Sequence, residues 1–332
     1  MDEKRKKTYR LNRKTFLKGC LAAGGTCVAG AALTGMGTRG KAEQQSTTPE
    51  EKRSYPMELQ LQGTIATGLK NLRAVASGPQ NRIYAGGEQG VAVFAPMENS
   101  FPKIKREALM KTPEPVTAMA VDDEGNVYAT TRASVIVFDA DGKKSRTWGK
   151  RGEGKGDFRF ITGIAVDSPV VAVADAGRRV VLRFAINGDL VDETEGFHVP
   201  SPYFDLAYGP QGKLHVANPG KHRIEIYDST GSLLKKWGTF GNHPEGFVGC
   251  CNPTNLTVLK DGKVVTTEKG TPRLKVYSGD GEKILAYLGP KAFAPRVAGL
   301  DLAVGPNGMI AVADPATDEI RTYSLKKNES EQ

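Results

Sequence analysis

Six segments of this 332-residue chain repeat one pattern, a short β run, a turn and a second β run, and such a repeat constrains the fold more than any single residue. The segments are Ala76-Ser77-Gly78-Pro79, Ala120-Val121-Asp122-Asp123, Ala165-Val166-Asp167-Ser168, Ala207-Tyr208-Gly209-Pro210, Thr257-Val258-Leu259-Lys260 and Ala303-Val304-Gly305-Pro306. Between their second residues the steps are 44, 45, 42, 50 and 46 residues. A period of that length accommodates one four-stranded sheet. In the fourth repeat, strands are predicted at Asp205 to Tyr208, Leu214 to Ala217, Arg223 to Tyr227 and Ser232 to Trp237. Alternating apolar residues, β-branched side chains and Gly, Asp and Asn at the connections support each of them. Past residue 56 no comparable stretch has helical periodicity.

The sixth repeat, Leu300 to Leu325, supplies three strands and then runs into the polar Lys326 to Gln332 tail. Glu58 to Ile65 forms an orphan strand ahead of the first repeat and fills the missing place. The expected fold is therefore all-β: a six-bladed β-propeller of four-stranded antiparallel blades, closed by an N-terminal strand that completes the last blade. Residues 57–327 are assigned to the propeller, 43–56 to a polar linker and 328–332 to a tail.

Residues 1–42 have the layout of an export signal, with a basic run at 4–18 and an uncharged stretch at 19–38. Within it, Asn12-Arg13-Lys14-Thr15-Phe16-Leu17-Lys18 resembles the twin-arginine export motif, with lysine for the second arginine. The resemblance implies an exported protein of the periplasm or cell envelope, with cleavage expected after Ala42. Membrane attachment is expected only through an uncleaved signal, whose uncharged stretch is glycine-rich for an anchor. This leader also explains the net charge of +9: it holds ten basic and two acidic residues, leaving 36 against 35 in the remainder. A body near +1 gives no support to nucleic-acid binding, and none is expected. Two of the four cysteines lie in the leader, so a disulfide-stapled scaffold is excluded as well.

The repeat resembles the NHL-repeat propellers over about residues 57–327. The residues that carry the resemblance are Leu302-Ala303-Val304, Ile310-Ala311-Val312-Ala313-Asp314, His222-Arg223-Ile224-Glu225-Ile226-Tyr227 and Lys236-Trp237-Gly238. Gly249-Cys250-Cys251-Asn252-Pro253-Thr254, taken with Thr267 to Arg273, is similar to a subgroup of exported bacterial members. The resemblance implies the propeller and leaves function open, because such folds host binding and catalysis alike.

In a propeller of this strand order, the connections between blades and the loops between second and third strands share one face, where a site is expected. Three features converge there. Cys250 and Cys251 end the longest repeat step, and as neighbours they suit a strained disulfide, a soft-metal dithiolate or simple packing. Three residues before the alignment position, the blades read Ala74, Ala118, Gly163, Asp205, Asn255 and Asp301. The last three are candidate ligands for a divalent cation such as calcium, as in lactonase-like propellers, or members of a polar, water-holding ring. At the ends of the second strands stand Gly87, Thr131, Asp175, Asn218, Glu268 and Asp314, expected mainly to accept N–H groups of their own loops and to pair with Arg179, Arg223 or Arg273.

Cys250, Cys251, Asn252, Glu268 and Arg273 are the ligand-binding candidates. No catalytic residue is assigned. The four histidines, His198, His215, His222 and His243, are scattered, so the three-histidine zinc site of amidating-lyase propellers is not reproduced. Gly152 to Gly156 leads to no helix and is no phosphate loop. The first expectation is a binding or scaffold protein that takes a protein or small-molecule ligand on its loop face. The second is a redox- or metal-dependent enzyme, lactonase-like or lyase-like, at the channel mouth near Cys250 and Cys251.

Overall fold

A computed structural model describes residues 53–97 and 100–328. The proposed export signal, most of the linker and all but the first residue of the tail lie outside the described residues. The remainder forms six four-stranded antiparallel sheets in a ring, a β-propeller. Among the described residues no helix is long and apolar enough to cross a membrane.

Each blade except the last uses four strands consecutive in sequence, beginning with Ala74–Ser77, Ala118–Val121, Ile161–Asp167, Leu206–Tyr208 and Asn255–Val258. Asp301–Val304 begins the sixth. These first strands pack against one another around the ring, and Asp301–Val304 closes it against Ala74–Ser77. The sixth blade takes its outer strand from the other end of the chain: Met57–Ala66 pairs antiparallel with Glu319–Lys327, from Met57 opposite Lys327 to Ala66 opposite Glu319. The join covers what would otherwise be an unpaired edge.

In the fourth blade the strands are Leu206–Tyr208, Leu214–Asn218, Arg223–Tyr227 and Leu233–Trp237, within one residue of expectation at each end. Asp205 lies just ahead of its strand, although its carbonyl still accepts the Ala217 N–H at 2.9 Å. The alternation used to find strands does not govern burial. Ile310–Asp314 and Val264–Glu268 are buried at every position because blades cover both faces of an inner strand. Only the outer strands, such as Lys144–Trp148 and Leu233–Trp237, are largely exposed.

The core is divided among the interfaces between blades. Ile65, Val75, Ile83 and Phe94 meet Ala303, Ala311 and Ile320 between blades one and six. Leu274 and Val276 meet Leu302, Ile310 and Val312 between five and six, with Met57 and Leu59 of the closing strand packed alongside. Two connections repeat a device: Trp148-Gly149 is followed by buried Phe158, and Trp237-Gly238 by buried Phe247. At Gly149 φ is +89°, and a Cβ would stand 2.4 Å from the Phe158 ring; at Gly238 the values are +102° and 2.6 Å from Phe247. Only glycine meets both demands.

Removing residues 57–66 uncovers the edge of Glu319–Lys327 and the apolar side chains beneath it. A chain beginning at Thr67 is expected to melt at least about 10 °C lower and to self-associate, as read by calorimetry and light scattering. Unchanged melting of a monomer would contradict closure by this strand.

Candidate functional site

The inner strands place their leading residues at the mouth of the central channel. Every blade contributes to the wall of a cavity of about 480 Å³ there: Arg73, Thr117, Thr162, Asn255 and Asp301 stand at its lining, with the aromatic residues Phe160 and Tyr203. The cavity thus combines apolar surface with a few polar groups, as small-molecule sites do.

Asp205, Asn255 and Asp301 come together on this axis. Asn255 Nδ2 donates to Asp301 Oδ1 at 3.0 Å and also serves the Asp205 carboxylate. The other oxygen of each aspartate reaches the next blade: Asp205 Oδ2 accepts Leu256 N–H at 3.0 Å, and Asp301 Oδ2 accepts Val75 N–H at 2.8 Å. The pair therefore ties blade four to five and blade six to one. Burial pushes Asp205 well above its usual 3.8, and the neighbouring Asp301 charge adds to this. Burial likewise raises Asp301, to about 6, against the N–H groups of Val75, Leu302 and Asn255. Here the Asn255 amide turns its nitrogen to the carboxylates; a hard cation would take the two carboxylates with the amide turned over to present its oxygen. Among the described residues no three His, Cys, Asp or Glu side chains are grouped to hold a metal ion.

Cys250 and Cys251 are free thiols with Sγ atoms 3.2 Å apart, the first exposed and the second buried. Burial alone raises the Cys251 thiol, but Ser201, Cys250 and the Lys269 ammonium together hold it below its usual 9.0. Hydrogen bonding to Cys251 and that neighbour's charge raise Cys250. Of the two thiols Cys251 is therefore the more readily ionised. The Lys269 Nζ lies 4.5 Å from the centre of the Tyr203 ring. Lys269 also bonds Cys251, so it links the cysteine pair to Tyr203, a residue of the cavity lining.

Asn252 holds the cysteine turn in place. Its Nδ2 donates to Val248 O at 2.6 Å and to Lys269 O at 3.1 Å, while its Oδ1 accepts Lys269 N–H at 2.9 Å. Glu268, at the end of Val264–Glu268, is fully buried and accepts Val248 N–H at 2.7 Å. Its other oxygen lies 2.8 Å from the Lys275 ammonium, which is also fully buried, and Arg273 is 4.0 Å away. Lys275 further donates to Gly246 O at 2.7 Å and sits 4.9 Å from the centre of the Phe247 ring. Arg273 reaches Asn242 O and His243 O at 3.2 and 3.3 Å. Glu268 and Arg273 therefore organise the inside of the connection that carries the cysteines, and neither lines the axial cavity.

The other second-strand ends act alike. Asp175 accepts four N–H groups, from Arg159, Phe160, Gly177 and Arg178, and Asn218 Oδ1 accepts His198 N–H. The expected arginine pairs are different in detail: Arg223 binds Glu225, and Arg178 rather than Arg179 makes a close ion pair, with Glu193. Lys269, Tyr203, Ser201 and Arg73 were not singled out from the sequence. Only Lys269, within the Thr267 to Arg273 motif, carried a signal that could have pointed to it.

Two outcomes follow from this chemistry. Glu268→Gln leaves the Lys275 charge without its carboxylate and is expected to cost about 3–5 kcal/mol in urea unfolding, with much of it regained when Lys275→Met is added. For the aspartates, folding binds a proton that the unfolded chain releases between 3.8 and about 6, so the contribution of Asp301 falls as pH rises through that window. Relative to the parent chain, Asp301→Asn is therefore expected to gain stability between about pH 4 and about pH 7, measured as the difference in urea midpoints. A difference independent of pH would contradict the assignment. Compared with models of known protein families and with curated proteins, the chain matches none.

Proposed function

We propose that this chain is an exported binding protein of NHL-repeat type that takes a small ligand in the axial cavity of its loop face. The observation that carries the reading is the cavity itself: about 480 Å³, walled by every blade, with aromatic rings beside Arg73, Asn255 and Asp301. That volume lies within the range of about 300–1,000 Å³ common to small-molecule sites. Its rigid wall favours a ligand with an aromatic or apolar body and a few polar groups, because little ordering accompanies binding. A protein ligand would use the same face, inserting one side chain into the cavity.

A redox enzyme at the channel mouth is the second reading. It is favoured by one observation, a pair of free thiols joined through Lys269 to Tyr203 of the cavity lining.

Ala298 is exposed on the cavity lining, so Ala298→Trp fills the space without touching the inner strands. In a thermal-shift screen of small metabolites, compounds that raise the melting temperature of the parent chain are expected to lose at least about tenfold in affinity for this variant. Equal shifts in both proteins would place binding elsewhere.

A further inference from the structure

Three arrangements outside the axial cavity bear on chemistry. Arg159, Arg178 and Arg179 line an open groove, but Arg178 is paired with Glu193 and Arg159 with Glu153. Leu233 and Leu234 are exposed on an outer strand, with nothing to indicate what covers them. The cysteine pair carries much more: proximity, asymmetry of exposure, a cation and a turn held by side-chain hydrogen bonds.

We infer that Cys250 and Cys251 form a thiol–disulfide exchange site for small disulfides of the glutathione type, with Cys250 as the entry sulfur and Cys251 as the resolving sulfur. Cys250 is exposed and Cys251 is 6% exposed, so an incoming disulfide meets Cys250 first. At 3.2 Å, Cys251 Sγ is already beside the sulfur it must attack in the second step. Lys269 and Ser201 favour the thiolate there, and Asn252 fixes both ends of the turn that presents the pair.

The steps balance without a further reagent. One proton of the pair leaves to solvent and the other passes to Cys251, so that the Cys250 thiolate attacks the small disulfide, forming a mixed disulfide and releasing one small thiolate. That thiolate takes the proton from Cys251. The Cys251 thiolate then attacks Cys250 Sγ, the mixed disulfide breaks, and a second small thiolate leaves. Two electrons pass from the cysteines to the small disulfide, which becomes one thiol and one thiolate.

Neighbouring α carbons stand about 3.8 Å apart across a trans peptide, whereas disulfides favour about 5.5–6 Å. The bond formed is therefore strained and readily reduced, which suits reversible exchange better than permanent cross-linking. The inference rests on the redox reading and names its substrate class, and the axial-cavity reading stands or falls separately because no cavity ligand takes part.

The experiment incubates the reduced chain, freed of its leader, with oxidised glutathione, quenches with acid and measures intact and peptide masses. The parent chain is expected to pass through a glutathione adduct on Cys250 and finish two hydrogens lighter, and excess reduced glutathione restores the dithiol. Cys251→Ser is expected to accumulate the adduct on Cys250, and Cys250→Ser to react at least about tenfold more slowly than the parent. Lys269→Met is expected to slow ring closure about five- to tenfold, with Lys269→Arg close to the parent. If Cys251→Ser does not fold, early quenching of the parent chain reveals the same adduct. A parent chain that keeps a stable adduct without ring closure, or equal reactivity of Cys250→Ser, would overturn the inference.

Discussion

A buried acceptor at the end of a blade's second strand does more than cap its own loop. Asp175 collects N–H groups from the loop that follows and from the connection entering the blade, and Glu268 and Asn218 reach back to Val248 and His198 in the same way. Those connections would otherwise bury backbone donors without partners, at about 1–3 kcal/mol each. Satisfying them with side chains lets non-repetitive segments lie against the ends of a regular sheet. The loop face depends on this constraint, and the wall of the axial cavity depends on the loop face.

Two further layers stand on that frame. On the axis, Asp205 and Asp301 trade solvation for hydrogen bonds to the following blades, which ties the ring at its centre while raising both carboxylates. Beside it, Glu268 holds the connection through Val248, and Asn252 holds the same residue from the other side. The cysteine turn is thereby fixed at both ends. A pair of thiols on a mobile loop would have no defined relation to Tyr203; on this one the Lys269 ammonium stands over the Tyr203 ring.

The ring and its closure were legible because they rest on period and on strand count: six repeats with one strand missing at the end and one spare at the beginning. Less of the site could be read. Asp205, Asn255 and Asp301 share a repeat position, so alignment alone placed them together. Lys275 looks like an outward charge in an alternating strand, yet both faces of that strand are covered and its ammonium is paired inside. Ser201, from the connection into the fourth blade, and Lys269, from the fifth, both reach Cys251, a convergence no local pattern carries.

Hydrogen exchange measured residue by residue tests the central claim, that side-chain acceptors at the second-strand ends hold the connections of the loop face. The amides of Arg159, Phe160, His198 and Val248 lie outside every strand, yet each donates to such an acceptor. The account predicts protection of these four amides comparable to that of the inner strands. Exchange at the rate of exposed loop amides would contradict it.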